Sequence, residues 1–88
     1  MSGAATPAGG AGPEAGLVVD ARGTRCPVPV LRLARAVRDL PPGSVATVLA
    51  SDPAVEHDVP AWAGMRGHVV EQVVRAEDGW VVRVRTGG

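Results

Sequence analysis

The hydrophobic positions after residue 16 fall into segments with two different spacings. Residues 17–19 and 45–50 are short apolar runs rich in β-branched side chains, which is typical of strands. The segment between these two runs predicts a helix. The proline pair at 41–42, followed by glycine, ends this helix, because proline supplies no amide to a further turn. The apolar positions of that helix recur every three or four residues and are Val30, Leu33, Ala34, Val37 and Leu40.

The next segment predicts a second helix with an interruption. Asp52 and Pro53 are a suitable cap and first residue, and Asp58 and Pro60 form a similar start six residues later. We therefore expect a helix that is kinked or restarted near Pro60 and that ends within residues 64–67.

The last third of the chain predicts a β-hairpin. Residues 69–76 and 80–86 are rich in valine and flank a Glu-Asp-Gly turn, in which Gly79 takes a positive-φ position. The predicted order is βαβαββ. The simplest arrangement is a two-layer α/β (α+β) sandwich, with a four-stranded mixed sheet and both helices on one face.

Composition limits the class of protein. The chain has 88 residues, a net charge of zero and a single cysteine, which allows one domain and excludes an internal disulfide or a four-cysteine zinc site. Balanced charge argues against direct nucleic-acid binding. No apolar window approaches about 18 residues and no basic start precedes an apolar run, so we expect no membrane span and no secretory signal. An unpaired thiol then indicates the cytoplasm.

Residues 1–16 consist almost entirely of Ala, Gly and Pro, and Glu14 is their only charge. Such a segment buries too little side chain to offset its conformational entropy. We therefore predict a disordered tail over residues 1–16 and one folded domain over residues 17–88.

The strongest chemical signal is Cys26, between the first predicted strand and helix. With Pro27 in the first helical position, the cysteine occupies the cap, where unpaired amides carry partial positive charge and favour the thiolate. The nearby Arg22 and Arg25 would add to that effect. Because Pro27 and Pro29 also restrict the backbone, we expect a rigid, exposed thiol with a lowered pKa rather than a small buried hydrophobe.

For the histidines and tryptophans, the sequence predicts structural roles without chemistry. Nothing in the sequence places His57 or His68 beside Cys26, so we interpret both as solvated surface residues rather than partners in a Cys-His catalytic pair. A metal site made of these three groups would lack a fourth ligand, and no metal is expected. Trp62 and Trp80 are expected to pack.

One face of the first helix is basic. Arg32, Arg35 and Arg38 lie opposite its apolar positions. They form either the solvated side of an amphipathic helix or a docking surface for an acidic partner.

The run Asp20, Gly23, Cys26-Pro27-Val28-Pro29 resembles the signature of the TusA/SirA-like sulfurtransferases, small sulfur-carrier proteins with a Cys-Pro-x-Pro motif. The resemblance continues in order through LPPG at 40–43, SDPA at 51–54 and DVP at 58–60.

The resemblance implies a βαβαββ fold in which Cys26 accepts sulfane sulfur as a persulfide. The partners would be a sulfur donor protein, such as a cysteine desulfurase, and a downstream acceptor protein, with no metal or organic cofactor. Arg22, Arg32 and Arg35 are candidates for partner docking. The residues that would shape the site are Asp20, Gly23, Arg25, Pro27 and Pro29.

Two other functions fit the residues. A non-enzymatic RNA-contacting or regulatory module of the same fold would use the arginine face, and a redox-sensing thiol would use Cys26 as a sulfenic acid or mixed disulfide. The pathway also stays open among tRNA thiolation, molybdenum cofactor assembly, sulfur oxidation, selenium handling and sulfur-containing metabolites.

Overall fold

A computed structural model describes residues 16–87 and contains six elements in the predicted order. The predicted tail therefore lies outside the described residues, apart from Gly16. The strands and helices are β1 (Leu17–Ala21), α1 (Val28–Val37), β2 (Val45–Ala50), α2 (Val55–Arg66), β3 (Val69–Ala76) and β4 (Gly79–Arg85).

The four strands form one mixed sheet in the order β1-β2-β4-β3. β1 pairs with β2 in parallel, from Leu17 opposite Ala46 to Ala21 opposite Ala50. β4 is antiparallel to both of its neighbours, β2 and β3. The predicted two-layer α+β fold is thus confirmed, with β1-α1-β2 as a parallel unit and β3-β4 as a hairpin.

The core lies between the sheet and the two helices. Alternate residues of β1, β2 and β4 point to the helical side, since strand side chains alternate between faces. From the helices, Leu33 and Val59 are fully buried, and Trp62 is 6% exposed. Burial of one such aliphatic side chain contributes about 1.5–3 kcal/mol. The strand residues of the core are Val19, Ala21, Ala46, Val48, Ala50, Val82 and Val84.

The first helix is shorter than its apolar spacing predicts. It ends at Val37, and the amides of Arg38 and Leu40 donate to the carbonyls of Arg35 and Val37, three residues back. This tighter spacing is a common way for a helix to end. Leu40 still packs against the core, although it lies beyond the helix.

The second helix differs from the prediction in its continuity. It begins at Val55 with Ala54 as its cap, so the predicted start with Asp52 as cap and Pro53 as first residue is wrong by two positions. It also includes Pro60 in its interior, so the predicted restart is wrong. The proline removes one backbone hydrogen bond and itself remains exposed. The apolar side chains at 55, 59, 62 and 63 follow helical spacing and are all buried, so packing holds one helix together across the missing bond. The predicted end is confirmed, with Gly67 left-handed at φ 77°.

Within residues 16–87, neither helix is both long and apolar enough to cross a bilayer.

The two tryptophans both pack, as expected. Trp62 is buried. Trp80 packs against the core, and the Arg75 guanidinium lies 5.6 Å from the centre of its ring.

Gly79 is the glycine that the hairpin requires. It has a positive φ of 156°, pairs with Ala76 as the first residue of β4, and lies so close to β2 that an added Cβ would overlap the Ala50 carbonyl oxygen. By contrast, an added Cβ at Gly64, in α2, has no neighbour within 4 Å.

These two glycines predict opposite effects on stability. Gly79→Ala should lower the free energy of unfolding by about 2 kcal/mol or more, because the added Cβ would overlap the Ala50 carbonyl oxygen and push β2 away from the backbone at residue 79. Gly64→Ala should raise it by about 0.5–1 kcal/mol, because alanine is the better helix former. Urea unfolding of both variants measures the difference. Wild-type stability in Gly79→Ala would contradict the proposed close approach.

Candidate functional site

The cysteine lies at the sheet edge where the carboxyl ends of β1 and β2 meet. Because these strands are parallel and adjacent, the loops that follow them are neighbours. Gly23, at φ 81°, donates its amide hydrogen to Ser51 Oγ at 3.1 Å, which joins the two loops. A shallow depression of about 410 Å³ lies there, lined by Gly23, Thr24, Arg25, Ser51, Asp52 and Pro53.

Cys26 is exposed, as expected, but it precedes the helix cap. The cap of α1 is Pro27, and Val28 is the first helical residue, so the expectation of a cap at Cys26 with Pro27 already helical is wrong by one position. The Cys26-Pro27 peptide bond is cis. Pro29 is buried in the first turn and anchors the start of the helix.

Asp52 connects the cysteine to the start of α2. One carboxylate oxygen, Oδ2, accepts the amide hydrogen of Cys26 at 2.8 Å, and the other, Oδ1, accepts that of Ala54 at 2.9 Å. The bonds from Ala54 and Cys26, together with the nearby charge of Arg25, lower the pKa of Asp52. The side chain is therefore an anion that fixes the backbone at Cys26.

Asp58 contacts the sulfur itself. It lies in the first turn of α2, and Cys26 Sγ donates a hydrogen bond to Asp58 Oδ2 at 2.6 Å. This bond raises the pKa of the Cys26 thiol, and desolvation and the negative charges of Asp58 and Asp52 raise it further. The expectation of a lowered pKa is therefore wrong.

The start of α1 has no free amides beside the sulfur, although the sequence predicts that such amides stabilise the thiolate. Pro27 and Pro29 have no N–H group, the Cys26 amide donates to Asp52, and the Val28 amide donates to the Arg25 carbonyl at 2.8 Å. Among the described residues, no backbone amide donates to the sulfur. The direct contact with a carboxylate therefore decides the sign of the effect.

Asp20 and Arg22 form a separate exposed pair. Arg22 donates to both carboxylate oxygens of Asp20, at 2.9 and 2.7 Å, and these bonds lower the pKa of Asp20 to about 2. Arg22 is thus bound to Asp20 instead of adding its charge at Cys26. Arg32 donates to the Asp20 backbone carbonyl at 3.0 Å, which fixes one arginine of α1 against the end of β1.

The other polar residues considered in the sequence lie apart from the cysteine. His57 is exposed on α2. His68 precedes β3, which runs in the same direction as β2, and therefore lies at the opposite sheet edge. It is half-buried rather than solvated: its ring centre is 4.9 Å from that of Trp62, and its Nδ1 accepts the Gly87 amide at 3.0 Å.

Two carboxylates beside the cysteine, Asp52 and Asp58, are absent from the site predicted from the sequence. The sequence identifies Asp52 and Asp58 as helix-start residues and as parts of the family-like SDPA and DVP segments, but gives neither a place beside Cys26. Asp52 has the first role in part, through its bond to Ala54. The missed signal was topological: Cys26 follows β1 and Asp52 follows β2, and parallel strands joined by a helix place such loops at one edge. Within residues 16–87, no group of three His, Cys, Asp or Glu side chains is arranged to hold a metal ion.

The raised pKa predicts the pH dependence of the thiol. Because the protonated form is favoured, the thiolate of Cys26 should form at higher pH than that of a cysteine in an unstructured peptide. The rate of iodoacetamide alkylation, measured from pH 6 to 11 for the protein and for the peptide, tests this. A midpoint for the protein below that of the peptide would show that the helix field prevails over Asp58.

Comparison with known proteins assigns the chain to a family. Residues 17–86 match the family model for sulfurtransferase TusA. The chain is 36% identical over 69 residues to an Archaeoglobus fulgidus protein described as a sulfur carrier, covering 78% of this chain and 94% of that protein. It is 45% identical over 56 residues to the sulfur carrier protein TusA of Pseudomonas aeruginosa, covering 62% of this chain and 71% of that protein.

The fold agrees with this assignment. The crystal structure of a SirA-like protein from Desulfitobacterium hafniense superposes with a TM-score of 0.71 at 27% identity, covering 82% of this chain and 99% of that one. The resemblance seen in the motifs is confirmed, and the chain belongs to the TusA sulfurtransferase family of sulfur carriers.

Proposed function

We propose that the protein carries one sulfur atom as a persulfide on Cys26 and relays it from a donor protein to an acceptor protein. The observation that supports this most directly is an exposed free thiol at the edge of the sheet in a chain of the sulfur-carrier family. We place this relay in the cytoplasm, where an unpaired thiol stays reduced.

The transfer requires only thiol and persulfide chemistry. For loading, the Cys26 thiolate attacks the terminal sulfur of the donor's persulfide, a new S–S bond forms on Cys26, the donor's S–S bond breaks, and the donor leaves as a thiolate. For unloading, an acceptor thiolate attacks the terminal sulfur on Cys26 in the same way. Sulfur is passed on without net oxidation or reduction, so the single cysteine is sufficient.

The residues around the cysteine would have supporting roles. Pro27 and Pro29 shape the helix start, and the contacts of Asp20, Gly23 and Arg25 hold the preceding loop. The exposed side of α1 would receive the partner proteins, because it leads directly away from Cys26. It carries Arg32 and Arg35 and, beside them, Leu31, which is 60% exposed.

Loading of Cys26 is the central prediction. The purified protein is incubated with a cysteine desulfurase and cysteine, and its intact mass is recorded before and after reduction. We expect a reversible gain of one sulfur atom in the wild type and none in Cys26→Ser. The Ser variant should keep its fold, since Cys26 is exposed and serine differs from it by one atom.

Further measurements on the wild type and Cys26→Ser distinguish the two alternatives. A gain of one oxygen under peroxide, with no sulfur accepted from any donor, would favour a redox sensor. Full biological activity of Cys26→Ser would favour a binding module, and RNA binding that weakens steeply with salt would identify its partner class. Either result would contradict the carrier function.

The arginine face predicts a difference between protein and small-molecule donors. The double variant Arg32→Glu and Arg35→Glu should slow loading by a desulfurase about tenfold or more, because reversed surface charges mainly reduce association rates. Loading by glutathione persulfide should stay within about twofold, since a small donor does not need the docking face. Equal effects on both donors would show that the substitutions disturb Cys26 itself.

The control for this variant is a charge change elsewhere on the same molecule. Arg83→Glu lies on β4, is exposed, and belongs to the sheet face away from the helices. It changes the net charge by the same amount per residue. If Arg83→Glu slows loading by about the square root of the factor seen in the double variant, overall charge explains the effect and the docking surface is contradicted.

A further inference from the structure

Asp58 contacts the reactive sulfur, and the transfer chemistry above gives it no role. Its Oδ2 lies 2.6 Å from Cys26 Sγ, and it accepts the thiol hydrogen. The aspartate comes from α2 and the cysteine from the loop before α1, 32 residues apart in sequence, so the contact depends on the tertiary fold.

The charges around this contact are predominantly negative. Asp58 approaches from α2 and Asp52 from the loop before it, and both oppose a negative charge on the sulfur. Arg25 is the adjacent cation, and its charge acts on Asp52. Arg22 is bound to Asp20.

We propose, on the basis of the carrier function above, that Asp58 accepts a hydrogen bond from the Cys26 thiol and disfavours every anionic form of sulfur at this site. The empty carrier is then a thiol of low reactivity, and the loaded carrier transfers its sulfur readily.

The empty form follows from the hydrogen bond. While Asp58 accepts the S–H proton, the sulfur is a neutral thiol and a weak nucleophile. During loading the thiol proton leaves Cys26 and ends on the departing donor thiolate. The net reaction converts a Cys26 thiol and a donor persulfide anion into a Cys26 persulfide anion and a donor thiol, with atoms and charge balanced.

The loaded form lacks that hydrogen bond. The inner sulfur of a persulfide has no proton to donate, and the terminal sulfur is an anion at neutral pH because persulfides are stronger acids than thiols. Loading therefore exchanges a favourable S–H contact with Asp58 for repulsion between two negative groups. The same carboxylate thus slows unwanted reactions of the empty thiol and favours departure of the carried sulfur.

The test is Asp58→Asn, which keeps the size of the side chain and an oxygen acceptor but removes the charge. At pH 7 we expect alkylation of Cys26 by iodoacetamide to accelerate about two- to fivefold, the range of one partly exposed charge interaction. In equilibrium with glutathione and glutathione persulfide, the ratio of loaded to empty protein should rise by a similar factor. Asp58→Glu should restore both values toward wild type.

The matched control is Asp39→Asn, which removes an exposed aspartate beyond the far end of α1. Both measurements should stay at wild-type values. Thermal unfolding of each variant verifies the fold, because Asp58 also lies in the first turn of α2, where a negative charge is favourable.

A second measurement needs no folded variant at position 58. In the wild type, the side-chain carboxyl carbon of Asp58 should show a change in NMR chemical shift at the pH where the thiol ionises, and Cys26→Ser should lack that change. Absence of the change in the wild type would overturn the proposal.

The outcomes separate this proposal from the carrier function. Wild-type alkylation rates in a folded Asp58→Asn variant would overturn the role of Asp58, even if Cys26 accepts sulfur normally. Faster alkylation with a lower loaded fraction would overturn the part that concerns the loaded form. If the wild type accepts no sulfur from any donor, the carrier function fails, while alkylation still decides whether Asp58 controls the thiol.

Discussion

The site depends on the parallel pairing of two short strands. β1 and β2 run side by side in the same direction, which requires a crossover, and α1 supplies it. The pairing places the loop that contains Cys26 beside the loop that contains Asp52, although their sequence positions are far apart. An antiparallel pairing would have placed the two loops at opposite edges. The topology of the sheet therefore determines which side chains surround the thiol.

The elements were predictable because their signals are local. Helical spacing identified the apolar face of α1, the valine-rich segments identified the strands, and Gly67 and Gly79 marked the end of α2 and the hairpin. The predicted helix boundaries were wrong in places, as at the cap of α1 and the start of α2. α1 ends before Leu40, and α2 passes through Pro60, because packing of its buried side chains outweighs the loss of one hydrogen bond.

The chemistry of the cysteine was only half predictable. Its exposure and its position near a helix start follow from the sequence, but the direction of its pKa does not. A helix start stabilises a thiolate through free amides, whereas here two prolines lack them and the amides of Cys26 and Val28 already have acceptors. The dominant group, Asp58, reaches the sulfur only because α2 packs next to α1 on the same side of the sheet.

Asp52 gives the site a mechanical property. Its two carboxylate oxygens bind two different segments, the amide of Cys26 and the amide of Ala54. Ala54 directly precedes α2, the helix that carries Asp58. The Asp52 carboxylate therefore connects the backbone of the cysteine to the start of that helix. A displacement of the cysteine backbone relative to α2 would therefore have to break one of these two hydrogen bonds or carry the start of the helix with it.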